Sequence, residues 1–281
     1  MNKKTILIAD SCAGGLDVLR YFLDWAGEYE LCYIADGKEN PFGLKTEEEI
    51  KKIVIKWIEG LQNISKEVVL VVIACNTASI ATLKSIKSIE KKYGIPIITM
   101  VDGIKRLFKK NRAKINNKKV LVMGTKYSID SGEYQKRLNK MKPKELQELS
   151  ATKTERFIAR GLENNKNFRE EMRKELSKYK SKRIETIVLG CTCFEFSKEE
   201  IRRIYGKEIF FLNPAKEVSE ASRKILKTKN KKTNLHKVKV YTTGDLELWS
   251  KNINIVSKKV FGKKLKVRKI NLISPFQSVS R

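Results

Sequence analysis

Two cysteines flank one threonine in LGCTCFEF, Leu189 to Phe196, where an apolar run, RIETIVLG, comes to an end. A third, Cys75, closes a second apolar run in VVIACNTAS, again with a threonine within two residues. Sulfur at the end of a buried strand has four uses: a metal clamp, a redox pair, inert packing, or half of an active site. A zinc clamp wants further ligands at suitable spacing, and Cys191-Thr192-Cys193 has no histidine and no further cysteine beside it. Free cysteine is among the most buried residue types, so each thiol taken alone reads as core. Together, Cys75 and Cys191 repeat one pattern: apolar strand, small residue, cysteine, then threonine. That repetition favours chemistry. A thiolate is both basic and nucleophilic, and a helix N-terminus or nearby polar donors lower its pKa. Two such groups facing each other would work on both sides of one small molecule.

Other candidates are weaker. Asp10 and Ser11 end the run TILIADSCAGG, where Asp10 either caps the next helix or serves the site as an acid or base. Gly14-Gly15 lacks the spacing of a phosphate loop. Cys12 and Cys32 read as structural, and Trp25, Trp57 and Trp249 as packing on amphipathic helices. No lysine stands out as a Schiff-base residue, so pyridoxal phosphate is not called for, and no metal is expected.

The elements that must position these residues alternate. Thr5 to Ala9 reads as a strand, followed by a tight loop and LDVLRYFLDWAG at helical spacing. ELCYIAD is a second strand, ending in the Pro/Gly loop GKENPFGLK. TEEEIKKIVIKWIEGLQ opens with Thr and acidic residues and continues as an amphipathic helix. VVLVVIACNTAS is nearly all apolar, as strands buried on both faces are. After IPIITMVDG the pattern restarts with KKVLVMGTKYSIDSGEYQKRL, RIETIVLGCTCFEF, KEIFFLNPAKEVSEASRKIL and VKVYTTGDLELWSKNI. Strands alternating with helices predict an α/β fold with a mainly parallel sheet. Such sheets collect ligands at the carboxyl ends of their strands, where Asp10, Cys75 and Cys191 fall.

The 281 residues leave room for about two domains. Lys and Arg number 60 against 32 Asp and Glu, a net charge of +28. The basic residues are dense only in RLFKKNRAKINNKK and RKILKTKNKKTNLHK, and neither matches a nucleic-acid-binding pattern. A solvated surface is the reading preferred over a nucleic-acid partner, and the charge can steer acidic substrates. The N-terminus shows no signal-peptide pattern, and no apolar stretch approaches the ~18 residues that cross a bilayer. Five cysteines without framework spacing predict free thiols and a cytoplasmic protein with no membrane partner.

The motifs together resemble the glutamate racemase family, within the wider aspartate/glutamate racemase group. ADSCAGGLDVLR resembles its DSGxGGLxVL, YIADGKENPFG its GD-x-x-x-x-PYG, and ACNTAS is identical to its first cysteine motif. MGTKYSIDSGEY fits GT-x-x-T-x-x-S-x-x-Y, LGCTCFEF resembles LGCTHYP, and VYTTGD with FGKKL matches the C-terminal pattern. The resemblance implies two similar α/β domains with mainly parallel sheets related by a pseudo-twofold, and an active site in the cleft between them. Residues 1–99 with 212–281 would form the Cys75 side and residues 100–211 the Cys191 side. It further implies cofactor-independent racemisation, most simply of L- and D-glutamate, supplying D-glutamate for peptidoglycan, by a homodimer. One thiolate removes the Cα proton while the opposing thiol protonates the other face. Catalytic roles would fall to Cys75, Cys191, Asp10 and Cys193. Asp10, Ser11, Pro41, Phe42, Gly43, Asn76, Thr77, Thr125 and Thr192 would hold the substrate.

Three positions depart from the family pattern. Cys193 stands where the family has a histidine that assists the second cysteine; the only histidine here, His236, lies in a basic stretch. Ala159 in ERFIARG occupies the place of a family acid, with Glu155 one helical turn away. Cys12 replaces the first glycine of DSGxGG. Two of these changes fall on the Cys191 side, so a site lopsided toward Cys75 is expected. A racemase with a changed amino-acid substrate, and a weakened family member acting as a sensor or protein-binding regulator, are the competing readings.

Overall fold

The computed structural model describes residues 4–272 except 63, 66, 163 and 164. Chain order runs β1 (Thr5–Asp10), α1 (Leu16–Phe22), β2 (Glu30–Ala35), α2 (Glu47–Gln62), β3 (Val68–Ile73), α3 (Asn76–Ala81), α4 (Ile86–Tyr93), β4 (Ile97–Thr99) and α5 (Met100–Lys110). It continues with β5 (Lys119–Gly124), α6 (Lys126–Asp130), α7 (Glu133–Asn139), β6 (Glu145–Ser150), α8 (Thr152–Ala159), α9 (Lys166–Ser177), β7 (Thr186–Gly190), α10 (Lys198–Tyr205) and β8 (Phe210–Leu212). The last elements are α11 (Ala215–Leu226), β9 (Val238–Thr242), α12 (Leu246–Phe261) and β10 (Val267–Lys269).

Two sheets result, with strand orders β10-β9-β2-β1-β3-β4 and β6-β5-β7-β8, and every pairing between named strands is parallel. The expected α/β class with mainly parallel sheets is what the structure has. Among the interior strands β1 and β7 are buried at every position, which is why they read as continuous apolar runs. Each Ile, Leu or Val so buried contributes about 1.5–3 kcal/mol. Sequence reading passed over β6, α8 and α9. ELQELS is the edge strand of its sheet and only partly covered, so its polar residues broke the apolar signal.

Local chemistry fixes the site-bearing segments. Thr99 and Asp102 form a capping box that turns β4 directly into α5. Trp57 of α2 donates from Nε1 to Asp36 Oδ2 at 2.6 Å and stacks on Phe42 at 5.6 Å, pinning the loop after β2. Trp57 and Trp249 do lie on helices; Trp25 lies in the turn after α1. The carboxyl ends of the two sheets meet. Thr77 Oγ1 lies 2.9 Å from Thr125 Oγ1, and Tyr134 donates to Asn76 Oδ1 at 2.9 Å. A methyl group built on Gly14 would stand 2.5 Å from Thr192 Oγ1, so only glycine permits that approach. Among the described residues no helix is long and apolar enough to cross a membrane.

Candidate active site

Cys75 is the N-cap of α3, with extended backbone and a side chain that accepts a hydrogen bond from Ala78 N at 3.5 Å. Its own thiol proton points to Ser11 Oγ at 3.6 Å. Cys191 follows β7 and precedes a short 3₁₀ turn, Thr192–Ser197. The two thiols keep only 5% and 8% exposure. They are near enough that charge on Cys191 raises the pKa of Cys75, and Tyr134 senses both.

Asp10 joins the two cysteine motifs. Its Oδ2 accepts from Thr192 Oγ1 at 2.9 Å, next to Cys191. Its Oδ1 accepts from Ser11 N at 2.6 Å and from Ser11 Oγ at 3.3 Å, the hydroxyl that receives the Cys75 thiol proton. Asp10 is wholly buried, and burial pushes its pKa up to about 6 although Thr192, Ser11 and Cys75 stabilise the anion.

The thiols correct one expectation. A helix N-terminus was expected to lower the pKa of Cys75, yet burial raises it well above the ordinary thiol value, with the charge of Asp10 adding to the effect. The Ala78 N–H offsets this only in part, because one peptide donor does not replace the hydration that is lost.

The second surprise lies behind Cys191. Cys193 is 3.2 Å from Cys12, sulfur to sulfur, and also bonds the Cys191 thiol. Glu155 of α8 accepts from Cys193 at 4.0 Å. Burial and the charge of Asp10 push Glu155 up to about 7. The hydrogen bond between Cys12 and Cys193 lowers the Cys12 pKa, but burial and the charges of Asp10 and Glu155 leave it at about 11. Cys193 is held well above the ordinary value, chiefly by its contacts with Cys12 and Cys191. Ala159 is buried on the same helix. An acid is thus present after all, one turn earlier than the family pattern has it.

The remaining expected residues fall as follows. Thr77, Thr125 and Ser128 share a hydroxyl network across the two sheets. Gly43 abuts Thr125, where an added methyl would lie 2.9 Å from Cβ. Asn76 Nδ2 is buried with no hydrogen-bond partner among the described residues. Pro41 and Leu44 line a cavity of about 400 Å³ together with Asn40, Arg156, Ala159 and Asn252. Gly43 and Leu44 also line one of about 510 Å³, with Ile80, Lys84, Lys126 and Tyr127. Neither cavity is lined by Cys75 or Cys191, which lie deeper. His236 lines a separate surface cavity with Lys263, Lys264 and Arg268.

Sequence reasoning missed Tyr134, which holds Asn76, and Asn40, whose amide donates to Ser11 O at 3.3 Å. It missed Tyr33, which donates to Cys12 O, and it named Glu155 without placing it in the site. For Glu155 a signal existed. Thr152-x-x-Glu155 has capping-box spacing, but the glutamate turns inward instead.

The carboxyl ends of two parallel sheets close on thiols, a buried carboxylate and an amide donor, groups whose chemistry suits moving a proton on a small polar molecule. The chain belongs to the Asp/Glu/hydantoin racemase family, a family of isomerases, whose model matches residues 26–215. It is 30% identical over 268 residues to the glutamate racemase of Clostridium novyi (strain NT), covering 93% of this chain and 98% of that one. It is 28% identical to that of Limosilactobacillus reuteri (strain DSM 20016), covering 87% and 90%. In fold it matches the Bacillus anthracis glutamate racemase RacE1 with TM-score 0.79 at 22% identity, over 97% of this chain and 99% of that one. The Francisella tularensis glutamate racemase in complex with D-glutamate matches with TM-score 0.78 at 21% identity, over 98% and 100%.

Proposed function

We propose that this protein interconverts L- and D-glutamate, with Cys75 and Cys191 exchanging protons with opposite faces of Cα and no cofactor. One observation carries the reading: Asp10 is hydrogen-bonded to Thr192 beside Cys191 and to Ser11 beside Cys75, so both cysteine motifs close on one carboxylate. Burial holds the Cys75 thiol protonated in the closed site, and a substrate ammonium group supplies positive charge that favours its thiolate. Asp10, ionised above about pH 6, relays protons to and from Cys75. The unpaired Asn76 amide and the hydroxyls of Ser11, Thr77, Thr125 and Thr192 hold the carboxylates. Cys193, bonded to Cys191 and to Glu155, takes the place of the family histidine. Pro41, Phe42 and Gly43 form the wall through which substrate enters when the two sheet ends part.

The cleft lies between residues 1–99 with 212–281 and residues 100–211, a division that follows which strands share a sheet except at Leu212, the last residue of β8 in the second sheet. Five unpaired cysteines suit a cytoplasmic protein that supplies D-glutamate for peptidoglycan, working as a homodimer without nucleic acid or membrane. The test is incubation with L-glutamate or L-aspartate followed by chiral separation. Formation of D-glutamate supports the reading. Racemisation of aspartate alone, or of neither, overturns it.

A further inference from the structure

Cys12, Cys193 and Glu155 come from three distant segments and place one sulfur, one sulfur and one carboxylate oxygen within 4.8 Å of one another, all buried. Two of these residues are where the sequence departs from its family pattern, a glycine and a histidine both replaced by cysteine. The two new thiols touch, at 3.2 Å. We propose that Cys12, Cys193 and Glu155 form a binding site for a thiophilic divalent cation of the zinc class, set directly behind Cys191.

The donor set selects the metal. Two thiolates and one carboxylate favour a borderline-soft cation over magnesium or calcium, which take oxygen ligands. A tetrahedral zinc with bonds of about 2.3 Å to sulfur and 2.0 Å to oxygen spans about 3.8 Å between sulfurs and 3.5 Å from sulfur to oxygen. Here the sulfurs are 3.2 Å apart and Cys193 lies 4.0 Å from Glu155, each about half an ångström from those values, and Cys12 lies within 4.8 Å of the Glu155 oxygen. Binding displaces the two thiol protons, and the two thiolates balance the charge of the cation. The cavity lined by Arg156 and Ala159 reaches the helix that carries Glu155 and marks the approach. A disulfide between the same cysteines is the weaker use, because thiols whose ionisation is suppressed exchange slowly. Occupancy ties up the Cys193 sulfur that bonds Cys191, and so slows turnover.

The test uses the full-length chain, reduced, stripped with chelator and kept anaerobic, titrated with Co²⁺ as a spectroscopic stand-in and then with Zn²⁺. One Co²⁺ per chain with a thiolate-to-metal charge-transfer band, displaced by one Zn²⁺, is expected. Cys12→Ser, Cys193→Ser and the milder Cys12→Gly should each lose the band. Glu155→Gln should keep it with weaker binding, and Cys75→Ser should keep it in full. Absence of the band in the unmodified chain overturns the proposal. So does a band that survives Cys12→Ser and Cys193→Ser but vanishes in Cys75→Ser, which would place the metal between the catalytic thiols. This readout needs no turnover, so its failure is separate from failure of the racemase reading.

Discussion

Replacing Gly14 with alanine tests how tightly the two halves of the site are matched. The new methyl would lie 2.5 Å from Thr192 Oγ1, 3.0 Å from Thr192 Cβ and 3.0 Å from Cys193 N. The hydroxyl cannot simply turn aside, because it donates to Asp10, and the peptide nitrogen cannot move without moving the turn that follows Cys191. Relief requires the 3₁₀ turn to retreat by roughly half an ångström to one ångström, at an overpacking cost of about 1–3 kcal/mol. A displacement of that size at catalytic groups lowers kcat by about 100-fold. Gly94 is the matched control. It sits at φ +65 with nothing within 4 Å of an added methyl, so Gly94→Ala pays a left-handed strain of about 1–2 kcal/mol far from the chemistry. Urea unfolding should show both variants destabilised to a similar degree, while racemisation kinetics should separate them. If Gly14→Ala keeps full kcat, or Gly94→Ala loses as much, the close approach of the Gly14 loop to Thr192 has no bearing on catalysis.

Three further outcomes are expected. Tyr134→Phe removes the donor to Asn76 Oδ1 and leaves both ends of a buried amide unpaired, at a cost of about 1–3 kcal/mol and with a raised KM. Cys193→His alone should overpack against Cys12 by about 1–3 kcal/mol, and adding Cys12→Gly should recover more than about 0.5 kcal/mol beyond additivity in a double-mutant cycle. Asp36, whose pKa is raised first by burial, binds its proton more tightly folded than unfolded, so its ionisation destabilises the fold as pH rises. Asp36→Asn should therefore gain stability at pH 8, with the gain fading as pH falls toward the ordinary carboxylate value of 3.8; a constant offset at all pH values would contradict this.

How much of this was legible depends on the range of the interaction. Strands buried on both faces, such as VVLVVI and TIVLG, announced themselves by composition, and Asp10, Cys75 and Cys191 by standing at strand ends. The strand Glu145–Ser150, at a sheet edge, did not, because it is only partly covered and carries polar residues among its two leucines. The contact of Cys12 with Cys193 spans 181 residues and rests on how two sheets dock, which local spacing does not encode. Glu155 sat in view as a charged helix residue, and only the packing of its helix turned it inward. The raised thiol pKa values were hidden for the same reason, since burial outweighs the helix N-terminus and burial is a tertiary property.

The central claim is that two thiols reach one carbon from opposite faces, and solvent exchange at Cα tests it most directly. The chain and its Cys75→Ser and Cys191→Ser variants are incubated in D₂O with L- or D-glutamate, and deuterium at Cα is followed by NMR. The unmodified protein should invert both enantiomers with deuterium in the product. Each variant should lose inversion and exchange only one enantiomer, a different one for each cysteine. Exchange of the same enantiomer by both variants, or inversion that survives loss of either cysteine, would contradict the account.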